Sequence, residues 1–127
     1  MALQLDHLIL AVNDASRSLA FYKGILGLEH AGERGPFSVL RVSPELLIQL
    51  APWGTKGGEH LAFSMPQAEF EGVFRRVRDD GIEYGDTFDS VGNMRGPGIE
   101  EGAKGAGKTL YFFDSDKHLI EIRHYED

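Results

Sequence analysis

The sequence predicts an α+β chain built from a duplicated βαβββ unit, and three observations carry that prediction. A short apolar strand pattern with an early histidine occurs twice, as DHLIL at 6–10 and EHLAF at 59–63. Each copy is followed by a segment with helical apolar spacing, and the offset relating His7 to His60 also relates Phe21 to Phe74. Finally, LLIQL at 46–50 matches HLIEI at 118–122 at a longer offset, which a Gly-rich insertion between residues 85 and 108 accounts for. The 127 residues are therefore expected to form one domain, with module 1 at about 1–54 and module 2 at about 58–127.

The elements follow in order. LQLDHLILAV at 3–12 has the alternation of a strand. Asp14 is placed to cap a helix running to about residue 23, and Gly24 and Gly27 end it. FSVLRV at 37–42 and LLIQLA at 46–51 are strand-like and separated by the turn-forming Ser43 and Pro44. The second module opens on the strand at 59–63. Ser64 and Gln67 have capping-box spacing ahead of Phe70, Val73, Phe74 and Val77, and Gly81 closes that helix. KTLYFF at 108–113 and LIEIRH at 119–124 predict strands on either side of a turn at 114–117, while 85–108 reads as a flexible loop.

Composition excludes several function classes. A net charge of −7 disfavours nucleic acid, which needs a basic face. With no cysteine, thiol nucleophiles and zinc knuckles are ruled out. No apolar run approaches the roughly 20 residues of a membrane helix, and the N-terminus lacks the basic lead of a signal peptide, so a cytoplasmic protein is expected. Residues 102–109, GAKGAGKT, fit the phosphate-loop pattern. That pattern needs a helix after it, whose N-terminus cradles the phosphates. The residues after Thr109 predict a hairpin instead, so nucleotide binding is not expected.

His7 and His60 stand out among five histidines because they occupy equivalent positions in the two repeats. Glu121 lies on the last strand in an apolar frame, where a carboxylate is costly unless paired or bound to a metal. Two imidazoles and one carboxylate make a facial triad with coordination positions left open. His30, His118 and His124 have no repeat partner and read as structural.

At these residues the sequence resembles the vicinal oxygen chelate superfamily, which includes glyoxalase I, fosfomycin-resistance enzymes, extradiol dioxygenases and bleomycin-resistance proteins. The marks are DHLILAV at 6–12, the D-x-x-x-S-x-x-F-Y-x-x-x-L-G pattern over 14–27, HLAF at 60–63, and LYFFDSDKHLIEI at 110–122. The resemblance implies two βαβββ modules forming a curved mixed sheet, a cup around a divalent metal, usually in a homodimer. It implies His7, His60 and Glu121 as metal ligands, with iron, manganese, zinc or nickel as the ion. The chemistry implied is Lewis-acid stabilisation of an oxyanion, enolate or peroxide on a small oxygen-rich substrate.

Departures from each subfamily narrow the reaction. Gln49 stands where glyoxalase I has a carboxylate ligand; an amide hydrogen-bonds or ligates weakly but abstracts no proton. The spacing of Tyr111 and Glu121 resembles the extradiol signature, but Ser115 and Lys117 replace its Pro and Gly, and no acid–base histidine occurs around 102–104. Fosfomycin-type enzymes share the ligands, the equivalent of Tyr111 and a basic Gly-rich loop, with Ile9 here in place of a frequent Thr.

Tyr111 is a candidate oxyanion donor or a core residue. Arg123 shares a strand face with Glu121, where it would clamp an anionic group or pair with that carboxylate. Arg95, Lys104 and Lys108 form a basic cluster suited to an anionic small-molecule substrate, or a solvated loop. Trp53 lines the cup or covers the module junction. The leading expectation is a metal-dependent isomerase, lyase or thiol transferase. The alternatives are an iron-dependent ring-cleavage dioxygenase and a metal-free, ligand-sequestering protein of the bleomycin-resistance kind.

Overall fold

The computed structural model describes residues 2–125 of the chain. The chain divides into two compact units, Met1–Gly57 and Gly58–Asp127. It is an α+β architecture of two mixed sheets and two helices, and neither sheet closes into a barrel.

The first unit contains β1 (His7–Ala11), α1 (Ala15–Gly24), β2 (Glu29–Arg34), β3 (Phe37–Arg41) and β4 (Leu47–Ala51). Its sheet order is β1-β4-β3-β2, with β1 and β4 parallel and the other pairs antiparallel. The Asp14 carboxylate accepts from Arg17 N at 3.2 Å and so starts α1. Leu10, Leu40, Ile48 and Leu50 share one sheet face and are buried, as is Tyr22 of α1. Each such side chain contributes roughly 1.5–3 kcal/mol by leaving water. The other face carries His7, Ile9 and Gln49.

Two expectations are corrected here. The strand begins at His7 rather than residue 3, because β4 starts opposite His7 and its first N–H, on Leu47, reaches back only as far as Asp6 O. Leu3 and Leu5 accordingly remain exposed. A strand also forms at β2, a stretch that gave no strand signal. Its sequence EHAGER is polar because it is an edge strand, exposed along most of its length.

The second unit contains β5 (His60–Ser64), α2 (Gln67–Asp79), β6 (Tyr84–Gly85), β7 (Gly98–Gly102), β8 (Gly105–Phe113) and β9 (Leu119–Tyr125). Its order, β5-β9-β8-β6, repeats that of the first unit, with β5 and β9 parallel. The insertion is not a loop throughout. β6 pairs with β8 at residues 111 and 112, and β7 pairs with β8 at residues 105–109. The two lie end to end along β8 where the first unit has the single strand β2. A β7–β8 hairpin thus replaces the expected flexible segment, turning at Ala103 and Lys104. The backbone here is tightly packed, since a Cβ on Gly98 would stand 2.6 Å from Asp86 O.

The capping box at Ser64 does not form. Met65 N donates to Arg123 O and keeps the chain extended past Ser64. Pro66 becomes the N-cap, without a side-chain bond, and Gln67 Nε2 instead donates to Glu71 Oε1. Phe70, Val73 and Val77 of α2 are buried, as are Leu110, Phe112, Ile120 and Ile122, which share one sheet face. Among the described residues no helix is long and apolar enough to cross a membrane.

Candidate metal centre

Alternation on β5, β8 and β9 brings a polar set to the other face of the second sheet. The parallel register sets Ala62 against Glu121, with His60 one step earlier opposite Leu119. The antiparallel register sets Tyr111 against Glu121 and Thr109 against Arg123. β7 adds Glu100, two residues along from Gly98, which stands opposite Thr109. His60, Tyr111, Glu121, Arg123 and Tyr125 line an open cleft of about 300 Å³, floored in part by Ala62 and Gly102.

The centre of the cleft is an imidazole–carboxylate pair. His60 Nε2 lies 2.9 Å from Glu121 Oε1, with the histidine side chain 49% exposed and the glutamate 8% exposed. The carboxylate is thus held in the protein while the imidazole stays reachable. The other carboxylate oxygen, Oε2, accepts from Arg123 Nη1 at 2.8 Å. This removes the difficulty of a carboxylate in an apolar frame, since Glu121 is hydrogen-bonded on both oxygens and ion-paired with Arg123.

The donor set fits a borderline divalent cation. One imidazole nitrogen and one carboxylate oxygen converge to 2.9 Å, an N and O donor pair of the kind such a cation takes. Among the described residues no third histidine or carboxylate gathers with them. The pair is therefore two of the three donors a facial triad requires. His7 belongs to the first unit, on β1. Its Nδ1 is 2.7 Å from Asp6 Oδ2, an arrangement that orients the ring and turns Nε2 away from that carboxylate.

The first unit also reproduces the register of the second. His7 stands opposite Leu47 and Ile9 opposite Gln49, as His60 stands opposite Leu119 and Ala62 opposite Glu121. Gln49 is the positional counterpart of Glu121 and shares the His7 face of its sheet.

Tyr111 is buried, and its phenol is pushed well above the usual value. Burial is the main cause, followed by a hydrogen bond to Glu100 and the negative charge of Glu121. The hydroxyl is therefore a proton donor throughout the physiological range. Arg123, 4% exposed, is committed to protein acceptors. Lys104 lies at the hairpin turn with its backbone N–H donating to Tyr125 Oη, and Arg95 is exposed in the 86–97 connection. Lys108 sits opposite Ile99 and His124, on the sheet face away from Glu121. Trp53 is exposed and makes an edge contact with Phe37.

The histidines read as structural have structural partners. His118 is buried and its Nδ1 accepts from Glu59 N, His30 bonds Glu33, and His124 bonds Met65 O. Glu100, Thr109 and Tyr125 were not singled out from the sequence. The alternation of Gly98, Glu100 and Gly102 was the available signal, but glycines and acids carry no apolar period.

Comparisons with known proteins identify the family and the fold. Residues 4–122 match the family model described as Glyoxalase/Bleomycin resistance protein/Dioxygenase superfamily. Glutathione transferase FosA of Serratia marcescens is 26% identical, over 96% of this chain and 81% of that protein. Fosfomycin resistance protein FosX of Listeria monocytogenes is 25% identical, over 93% of this chain and 86% of that protein. Among solved structures, oxidase ChaP-H1 superposes with a TM-score of 0.80 at 28% identity, covering 98% of each chain. With a matching model across nearly its whole length, the chain belongs to the glyoxalase/bleomycin resistance/dioxygenase superfamily.

Proposed function

We propose that the protein is a divalent-metal-dependent enzyme that carries out Lewis-acid chemistry on a small oxygen-rich substrate, of the isomerase, lyase or thiol-transferase type. The observation that carries this is the convergence of His60 and Glu121 at 2.9 Å on the face of an open cleft. A sequestering protein has no use for such a pair. FosA and FosX, matched over most of this chain, support the same class.

His7, His60 and Glu121 are the proposed ligands. The ion, when bound, polarises a substrate oxygen and lowers the energy of the negative charge that develops there. The chain's own residues do the rest. Tyr111, protonated and lining the cleft, would turn its hydroxyl from Glu100 to donate a hydrogen bond to that oxygen. Asp6 orients His7, and Arg123 holds Glu121. Gln49 offers an amide for orienting substrate, not a base. Lys104 at the hairpin turn and Arg95 in the 86–97 connection would attract an anionic substrate.

A second reading, an oxygen-dependent oxidase or dioxygenase, is favoured by the likeness to ChaP-H1 over 98% of both chains. The deciding experiment measures metal content on protein purified without an affinity tag. Fosfomycin turnover is then assayed with glutathione or with water alone, beside oxygen uptake with catechols. Manganese, zinc or nickel with thiol- or water-dependent loss of fosfomycin supports the leading reading. Iron with oxygen uptake supports the second. Protein that neither carries nor takes up any of these ions removes both.

A further inference from the structure

The β7–β8 hairpin and the Glu121 carboxylate share one side chain. Arg123 Nη1 donates to Glu121 Oε2 at 2.8 Å, while Nη2 donates to the backbone oxygens of Glu100 at 2.9 Å and Gly105 at 3.4 Å. These oxygens come from the two strands of the hairpin, close to its turn. The guanidinium is stacked on the Tyr125 ring, with Cζ 4.5 Å from the centroid. It also lies flat against Gly102, where an added Cβ would stand 2.3 Å from Cζ. Nε is buried without a partner, so the side chain gives up one donor to keep Nη1 and Nη2 in place. Such a guanidinium is not a free anion receptor. It is a strut between a hairpin at the sheet edge and a carboxylate at the centre of the cleft.

We infer that Arg123 is a positioning residue that couples the seating of the β7–β8 hairpin to the orientation of Glu121, so that metal binding and hairpin closure favour each other. The inference rests on the metal-site reading proposed above. A planar fork is required, because one guanidinium must satisfy a carboxylate and two carbonyls at once. A lysine carries the charge but presents a single ammonium. Coupling of this kind is reciprocal: whatever holds the hairpin down holds Glu121 in its ligating pose, and the reverse.

The test titrates Mn(II) into the full-length protein by calorimetry and follows hydrogen exchange of residues 98–109 with and without the ion. Arg123→Met is expected to weaken Mn(II) by about 10- to 100-fold, the usual effect of losing a group that orients a ligand. Arg123→Lys is expected to recover part of that loss. Gly102→Ala changes no charge and sits at a backbone angle open to alanine, yet its Cβ meets the guanidinium. It is expected to weaken Mn(II) in the same direction, and to add nothing when combined with Arg123→Met. Mn(II) is expected to slow exchange in the hairpin of the unaltered protein and not of Arg123→Met. If Arg123→Met fails to fold, Gly102→Ala and Arg123→Lys carry the test. Unaltered affinity in the folded variants, with normal binding by the parent, overturns the strut and leaves the metal site standing. A parent protein that binds no divalent ion overturns both.

Discussion

At the scale of single residues, the site depends on two atoms of opposite polarity held 2.9 Å apart. His60→Ala removes the reachable half of that pair and leaves Glu121 bonded to Arg123. It is expected to abolish stoichiometric metal in mass spectrometry while the fold survives, since His60 is half exposed and contributes little to the core. Tyr111→Phe removes only a donor. A lost oxyanion donor lowers turnover by about 100- to 1,000-fold. The expectation is a fall of that order in kcat, with metal content unchanged. An unaltered kcat would return Tyr111 to the role of a packing residue. The register equivalence of His7 and His60 was legible because the repeat marks it in the sequence. Arg123 was legible as a neighbour of Glu121 but not as the support of a hairpin. That role needs the backbone oxygens of Glu100 and Gly105, which no side-chain pattern reports.

At the scale of elements, strands with a buried face announced themselves and strands without one did not. β4, β8 and β9 carry the apolar alternation that burial demands. β2 and β7 are edge strands rich in Glu and Gly, and their pairing is decided by the neighbouring strand. The capping box failed for a similar reason: the parallel pairing that carries Met65 to Arg123 O outweighed a local side-chain cap. The core predicts its own test. Ile122 is fully buried between β8 and β5, and Ile122→Ala is expected to cost about 2–5 kcal/mol in urea denaturation. The 86–97 connection predicts a pH effect. Asp86 is held below its ordinary value of 3.8, chiefly by the hydrogen bond from Asn93 and also by Ser90. A carboxyl depressed in the folded state stabilises above its ordinary value and ceases to as pH falls through the folded one. Amide exchange in this connection is therefore expected to rise below about pH 3.8, and Asn93→Ala to shift the Asp86 titration upward by NMR.

At the scale of the whole molecule, the repeated topology of the two units is the strongest statement about ancestry and use. Both sheets run in the same order and place a histidine at the same register. The α+β architecture followed from this duplication and the family from the motifs at 6–12, 14–27, 60–63 and 110–122, and the family model agrees over residues 4–122. Oligomeric state is a separate matter. Ile9 and Trp53 stay exposed in the first unit, as do Leu3 and Leu5. A homodimer that covers part of this apolar surface is the expected species, and light scattering on the tag-free protein should return twice the chain mass. A single-chain mass at all concentrations would count against it.

The polar edge strand β2 has one more consequence. Its outer backbone groups are a template on which another chain could add a strand. The strand answers with Glu29, Glu33 and Arg34, and with an irregularity in the register between His30 and Gly32 that spoils a straight edge. The acidic pair Glu100 and Glu101 does the same for β7. The composition that conceals these strands from a reader of the sequence also makes them poor seeds for fibrils, and it should keep concentrated solutions of the protein clear.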